Sequence, residues 1–217
     1  MNYIKIAKTK HIKNSALIGL ILGDGSMPGP KFLYIRHGGK QLDYVNEKVE
    51  FLKAYLRPKS LRDGIDKNGF AYRYAYYNDN SLIDLYKLIY SVDGKKKISE
   101  KLLNRFTLVS LAFFYMDDGC LSLRKYINKR GEWLGTYKSR EIHLCIHSFS
   151  WIEAEMFRKM LKQKFDLSFG ITTDKGHPRL WCNTENTKKM IKIIEPIVSQ
   201  FKTMNYKLDL KELTSFK

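Results

Sequence analysis

The chain is poor in the residues that define several classes of protein. It has three cysteines, and their odd number and wide spacing exclude a disulfide framework and indicate reduced thiols. No run approaches the ~18 consecutive apolar residues of a transmembrane helix, and the first residues lack the apolar segment of a secretory signal. We therefore expect an intracellular protein without membrane association. Abundant Lys, Asn, Tyr and Ile are typical of AT-rich genomes and favour a mitochondrial, organelle-encoded origin or a bacterial or phage cytoplasm.

Acidic residues are also scarce. The 217 residues include 22 Asp and Glu against 39 Lys and Arg, which gives a formal net charge of +17. Such an excess can be a solubilising surface, but it is also typical of proteins that contact the phosphate backbone of nucleic acids. Hydrophobic residues make up 44% of the chain and aromatic residues 13%, enough for a packed core.

Against this basic background, one acidic pattern occurs twice. Segments 17–25 and 111–119 are each an apolar helical run that stops at an aspartate followed by glycine, so that Asp24 and Asp118 lie 94 residues apart in matched context. A single Asp-Gly pair usually marks a turn at the end of a core helix. Helix C-termini favour cations over acids, and the repetition therefore indicates two half-domains that share an acidic site.

The two segments resemble the LAGLIDADG motif of homing endonucleases and of related intron maturases. The second copy ends Met-Asp-Asp-Gly, as in the single-chain, intron-encoded members that carry both motifs. The matching positions are Leu17, Gly19, Leu20, Ile21, Asp24 and Gly25 in the first copy, and Leu111, Ala112, Asp117, Asp118 and Gly119 in the second.

This resemblance implies a site built where the two motif helices pack side by side. It implies a bound Mg²⁺, with Mn²⁺ able to substitute, and the implied metal ligands are Asp24, Asp118, the carbonyl of Gly23 and Asp117. It also implies a catalytic lysine near each scissile phosphate. For this role Lys207 is the choice in the second half and Lys96 in the first, with Lys97 as the alternative to Lys96.

Two functions follow from the resemblance. The first is a monomeric, site-specific endonuclease that hydrolyses both strands of double-stranded DNA. The alternative is a maturase that binds intron RNA and assists splicing on the same scaffold. A plain DNA-binding repressor is a third reading, but it has no need of the two acids.

The rest of the sequence predicts an α+β fold of two pseudo-symmetric αββαββα halves, whose antiparallel sheets form a DNA-binding saddle. We expect residues 1–94 to be the first half with an N-terminal extension, 95–106 a linker, and 107–217 the second half with a C-terminal tail. Apolar periodicity and turn residues predict the elements. The predicted strands are 31–37, 59–65, 70–77, 120–126, 140–148, 167–174 and 178–183; the predicted helices besides the motifs are 41–56, 81–89, 151–165 and 184–198; and 127–139 is a predicted loop.

One face of each sheet is expected to contact DNA, because antiparallel ribbons fit the major groove and arginine reads guanine there. Alternation along the strands predicts the residues on this face: Arg36, Arg73 and Tyr77 in the first half, and His143, His147, Arg179 and Trp181 in the second. The tyrosines at 72, 74 and 76 are interpreted as sheet-packing aromatics. His143, Cys145 and His147 also suggest a zinc site, but no second ligand cluster follows at zinc-like spacing.

Overall fold

The computed structural model describes residues 10–127 and 136–210, with side chains described for 11–122 and 140–210. The first half comprises α1 (Lys10–Leu22), β1 (Ser26–Gly29), β2 (Phe32–Gly38), α2 (Leu42–Leu52), β3 (Ser60–Ile65), β4 (Ala71–Asn78) and α3 (Ile83–Ile89). A short helix α4 (Glu100–Arg105) follows. The second half comprises α5 (Leu108–Asp118), β5 (Gly119–Ile127), β6 (Thr136–Cys145), α6 (Trp151–Phe165), β7 (Gly170–Asp174), β8 (His177–Cys182), α7 (Thr184–Val198) and a 3₁₀ segment (Lys202–Leu208).

The two halves share one topology. Each has a four-stranded antiparallel sheet, with strand orders β1-β2-β4-β3 and β5-β6-β8-β7. The element order αββαββα occurs once before α4 and once after it. The predicted fold class is therefore confirmed. The boundaries at 94/95 and 106/107 remain our proposal for the division of the chain.

The motif helices α1 and α5 meet along their length at the centre of the molecule. Gly19 lies directly against α5, since a Cβ atom on it would fall 2.1 Å from the backbone oxygen of Ser110 and 2.9 Å from Cβ of Phe113. The hydroxyl of Ser110 donates a hydrogen bond of 2.7 Å to the carbonyl of Ser15 on α1. The glycine thus allows a helix contact that a larger residue would prevent.

Several elements differ from the prediction. The sequence of β1 contains Pro28-Gly29, which reads as a turn, yet it pairs with β2 as an edge strand, where proline is tolerated. Helix α4 lies inside the predicted linker, with the Ser99 hydroxyl capping its first turn. The predicted loop 127–139 is shorter, because β5 and β6 extend into it, and residues 128–135 lie outside the described part.

A continuous cluster of buried apolar side chains runs through both halves, between the sheets and the helices. Within residues 10–127 and 136–210, no helix has the length and apolar character needed to span a membrane. The helices cover one face of each sheet, so that the opposite faces are left for other contacts.

Candidate active site and nucleic-acid interface

The C-terminal ends of α1 and α5 bring together three aspartates. In the repeat, Asp117 matches Gly23, and the two residues face each other: a Cβ on Gly23 would lie 2.6 Å from Cβ of Asp117. The backbone N–H of Asp24 donates to Oδ2 of Asp117 at 3.3 Å. The glycine in one motif therefore makes room for the extra acid of the other.

The electrostatics of Asp24 and Asp118 show that these two predicted acids share a site. Burial, followed by the charges of Asp24 and Asp117, raises the pKa of Asp118 to about 7, against the lowering effect of nearby lysines. Burial likewise raises the pKa of Asp24, followed by the charge of Asp117. The nearby lysines compensate these carboxylates only in part, because the pKa values of Asp24 and Asp118 stay raised, and a divalent cation relieves this condition.

Two lysines lie at the ends of the motif helices, one at each. The ammonium of Lys96 donates to the carbonyl of Gly23 at 2.6 Å. Lys207, which is nearly buried, donates to the carbonyls of Met116 at 2.5 Å and Gly119 at 2.8 Å. Burial lowers the pKa of both lysines, against the effect of the acids. Both cations complement the negative ends of helix dipoles.

Of the three consecutive lysines 95–97, only the middle one reaches the motif. The Lys95 side chain is 81% exposed and pairs with Asp93. Lys97 lines a separate pocket between α3 and α4. Lys96 forms an isolated antiparallel β-bridge with Tyr90. Because consecutive side chains of an extended backbone alternate between opposite sides, the side chains of Lys95 and Lys97 are turned away from that of Lys96.

Three residues of this site were not predicted from the sequence: His37, Tyr44 and Lys48. Oδ1 of Asp117 accepts hydrogen bonds from Lys48 Nζ at 2.6 Å and from the Tyr44 hydroxyl at 3.0 Å. The side chains of Lys48 and Asp117 are both fully buried. The signal was present, because Lys48 occupies the middle of the buried stripe Tyr44, Lys48 and Leu52 of α2 at spacings of four.

His37 lies between Lys48 and Asp24. Its Nε2 is 2.8 Å from Lys48 Nζ, and its Nδ1 is 3.6 Å from a carboxylate oxygen of Asp24. Burial lowers the pKa of His37 to about 4, and the charge of Lys48 contributes in the same direction. The imidazole is therefore neutral at physiological pH.

One DNA contact predicted for the first sheet lies in the core instead. Tyr77 is fully buried with Ala75 in the core, so its assignment as a DNA contact is wrong. Arg73 lies on the same face of β4 and binds Asp63 at 2.6 Å and Asp43 at 3.4 Å. Strand 71–78 carries three tyrosines on its open face and a single one, Tyr77, on its core face, so alternation alone could not identify the core face.

The open face of this sheet carries the tyrosines that had been assigned to packing. Tyr72, Tyr74 and Tyr76 are partly exposed there and lie next to the exposed residues Tyr34 and Arg36 of β2. The guanidinium of Arg36 sits 3.7 Å from the centre of the Tyr72 ring. Arg36 is thus on the predicted face, held by a cation–π contact.

In the second sheet, the predicted alternation is observed on β6. Ile142 and Leu144 are buried in the core, and His143 lies on the opposite face, level with Cys120 and Trp181 of the neighbouring strands. His143 is only 5% exposed, however, because it is packed within this row, and it offers little surface for the predicted DNA contact.

The remaining predicted contacts of this face are more accessible. His147 and Arg179 both approach the carboxylate of Asp174, at 3.3 and 3.4 Å. The indole of Trp181 covers Gly170, where a Cβ would lie 2.6 Å from Nε1. All three cysteines are free. Among the described residues, the only group of three or more metal-binding side chains is Asp24, His37 and Asp117, so that the sheet face forms no zinc site there.

Comparison with models of known protein families identifies the family to which the fold and the motifs belong. The model of the LAGLIDADG DNA endonuclease family matches residues 14–190. The chain belongs to this family. The match spans both motifs and both sheets, in agreement with the repeated topology.

Individual relatives are more distant. A RecA protein of Mycolicibacterium chitae is 27% identical over 203 residues, covering 88% of this chain; the chain spans 45% of that relative's length. A probable intron-encoded endonuclease 1 of Wickerhamomyces canadensis is 24% identical over 208 residues, covering 91% of this chain and 84% of the relative.

Solved structures support the same fold. The homing endonuclease I-WcaI bound to its DNA recognition sequence aligns with a TM-score of 0.73 and 24% identity, covering 98% of this chain and 94% of that one. The N-terminal LAGLIDADG domain of DUF199/WhiA aligns with a TM-score of 0.52 and 13% identity, covering 91% and 92%. The fold is therefore shared by proteins of low sequence similarity.

The LAGLIDADG nuclease family implies a divalent metal ion, and the residues present fit one. Asp24, with 43% of its side chain exposed, and Asp118 supply hard carboxylate oxygens, with the Gly23 carbonyl beside them. The carboxylate of Asp118 makes no hydrogen bond or ion pair with the side chain or backbone of another described residue. Asp117 fits less well, since both of its oxygens already accept hydrogen bonds.

Proposed function

We propose that this chain is a site-specific endonuclease that hydrolyses both strands of double-stranded DNA, with Mg²⁺ or Mn²⁺ held by Asp24 and Asp118. The observation that carries this proposal is the meeting of the two motif acids at the adjoining ends of α1 and α5, where burial and the charge of Asp117 raise both of their pKa values. One acid comes from each half, in keeping with a reaction on two antiparallel strands.

In this proposal the chain's own residues position the phosphates and balance charge. A bound divalent cation would supply Lewis acidity and lower the pKa of a water molecule. Lys96 and Lys207 each hold an ammonium at the end of one motif helix, fixed by carbonyl groups before the substrate arrives. Preorganised cations of this kind stabilise the negative charge that develops on a phosphate during hydrolysis.

The open sheet faces are the proposed DNA-binding saddle. Arg36, supported by the Tyr72 ring, is the strongest candidate in the first half, and Arg179, His147 and Trp181 are the candidates in the second. The formal charge of +17 supports a long phosphate-backbone footprint. Because one chain contains both acids and both sheets, we propose that it acts as a monomer.

The test is cleavage of a randomised double-stranded DNA library by the purified chain with MgCl₂ or MnCl₂. We expect double-strand cuts limited to a subset of sequences and abolished by EDTA. Asp24→Asn and Asp118→Asn should each abolish cutting while DNA binding persists. Asp84→Asn, an exposed acid on α3, serves as the matched control and should cut normally.

Cutting that survives in either motif variant would overturn the proposed roles of the acids. If the DNA stays intact while the chain binds structured intron RNA tightly, the maturase is the better assignment. Specific DNA binding without cleavage of any library member would instead indicate a repressor.

A further inference from the structure

One cation at the centre of the site has no part in capping a motif helix. The ammonium of Lys48 contacts Asp117 Oδ1 at 2.6 Å and His37 Nε2 at 2.8 Å, and lies 4.2 Å from the centre of the Tyr44 ring. Its side chain is fully buried. Burying an ammonium is costly unless strong partners replace its water, so the surrounding groups must form a cation-binding site.

Two of the groups around this ammonium, His37 and Asp117, belong with Asp24 to a cluster of side chains of metal-ligand type. One ligand atom from each of Asp24, His37 and Asp117 lies within 4.8 Å of the others. Two carboxylates and an imidazole are a donor set that binds Zn²⁺, Co²⁺ and Mn²⁺. The imidazole nitrogen that faces Lys48 must present its lone pair to the ammonium, as it would to a metal ion.

We infer that Lys48 is a built-in cation that occupies the His37 and Asp117 side of a three-ligand cluster formed by Asp24, His37 and Asp117, and thereby excludes a divalent metal ion from it. Lys48 is then a positioning residue. It holds Asp117, whose other oxygen accepts the backbone N–H of Asp24 at 3.3 Å. Where the proposed function holds, metal binding is confined to the carboxylates of Asp24 and Asp118.

This arrangement occurs at the second motif and not at the first. The position in the first motif that matches Asp117 is Gly23, which has no side chain to bind a second internal cation. Its carbonyl instead accepts the hydrogen bond from Lys96. Each motif therefore has a capping lysine, and the second motif has a buried ion pair in addition.

The experiment is a Co²⁺ titration of Lys48→Met, which keeps the length and apolar stem of the side chain but removes the charge. We expect this variant to bind one more Co²⁺ per chain than the unaltered protein, with a new visible absorption band from nitrogen and oxygen ligation. Adding His37→Gln to Lys48→Met should remove both. Lys53→Met is the matched control, because Lys53 follows α2 and is exposed beside Glu50.

A folded Lys48→Met with the stoichiometry and spectrum of the unaltered protein would overturn the inference. If this variant unfolds alone but folds when Co²⁺ is added, the inference is supported, because binding energy then replaces the lost ion pair. Crystals of the unaltered chain soaked in MnCl₂ give an independent result. Anomalous density between His37 and Asp117 contradicts the inference, and density confined to Asp24 and Asp118 supports it.

These readouts need no DNA cleavage. A chain that never cuts DNA can still gain the Co²⁺ site on loss of Lys48, and a proven nuclease can fail to gain it. The outcome therefore separates this inference from the proposed function.

Discussion

Gly19→Ala tests the contact between the motif helices most directly. The added Cβ would lie 2.1 Å from the Ser110 carbonyl oxygen, whereas ordinary contacts begin at 3.4 Å. Because this neighbour is backbone, the helices must separate by on the order of 1 Å. Overpacking of this kind costs ~1–3 kcal/mol, and the weakened hydrogen bond from Ser110 to Ser15 adds about 1 kcal/mol.

Alanine also favours the helix over glycine by about 1 kcal/mol, which offsets part of this cost. We expect a net loss of about 2 kcal/mol in the free energy of unfolding, or a fall in Tm of about 4–8 °C for a chain of this size. Urea denaturation and calorimetry measure the loss. Cleavage at 25 °C, where the variant stays folded, should fall on the order of 100-fold, because the helix ends carry the paired acids.

Asn14→Ala is the control for this prediction, since it introduces alanine into the same helix away from Gly19 and should change stability by less than about 0.5 kcal/mol. A Gly19→Ala variant as stable and as active as the unaltered chain would refute the proposed helix contact. A stable but inactive variant would show that the acids respond to smaller movements than we estimate.

Three further outcomes follow from the site and the sheets. The first is measured in EDTA as the free energy of unfolding of Asp118→Asn and of the unaltered chain. The value for the variant minus the value for the unaltered chain should rise between about pH 4 and pH 7 and then level off. The raised pKa of Asp118, about 7, makes the native state bind a proton more tightly than the unfolded chain, so ionisation destabilises only the unaltered protein. Arg36→Ala should weaken DNA binding by ~1–3 kcal/mol or reduce the salt slope by about 1, whereas Arg73→Ala should change neither. Tyr77→Phe should leave stability unchanged or raise it by about 1 kcal/mol, since its buried hydroxyl has no hydrogen-bond partner among the described residues.

Each of these has a contradicting result. A flat difference curve across that pH range would show that Asp118 titrates as it does in the unfolded chain; the coupling to Asp24 means that the fitted pKa belongs to the pair. Equal losses of DNA affinity in the two arginine variants would refute the assignment of sheet faces. A large loss of stability in Tyr77→Phe would reveal a partner for that hydroxyl.

The fold and the paired acids were predictable because the sequence pattern that specifies them occurs twice in the chain. A repeated apolar run ending in Asp-Gly identifies two equivalent helices, and the resemblance to the family implies that they pack against each other. The sheets were harder to orient. Strand 71–78 places three tyrosines on one face and Tyr77 on the other, so its core face is set by which side α2 covers, and that contact lies outside the strand's own sequence.

The buried partners of the acids were less visible for a related reason. Lys48 stands on the apolar stripe of α2, which is a recognisable anomaly, but its partner Asp117 is 69 residues away. Only the folded chain brings the two together. The resemblance to known family members supplied Lys96 and Lys207, whereas nothing in the resemblance pointed to His37 or Tyr44.

The differences between the halves explain why one chain, rather than two identical copies, builds this site. Phe113 matches Gly19 in the repeat, and it occupies the space next to that glycine while packing against Phe51 and Phe201 at centroid distances of 5.0 and 5.2 Å. Asp117 likewise lies against Gly23. At both positions a large residue in the second motif fills the space that a glycine leaves in the first. A homodimer would place two large or two small residues together at each contact, with a clash or a cavity as the result. A single chain allows complementary differences, and these make room for an ion pair on one side of the acids only.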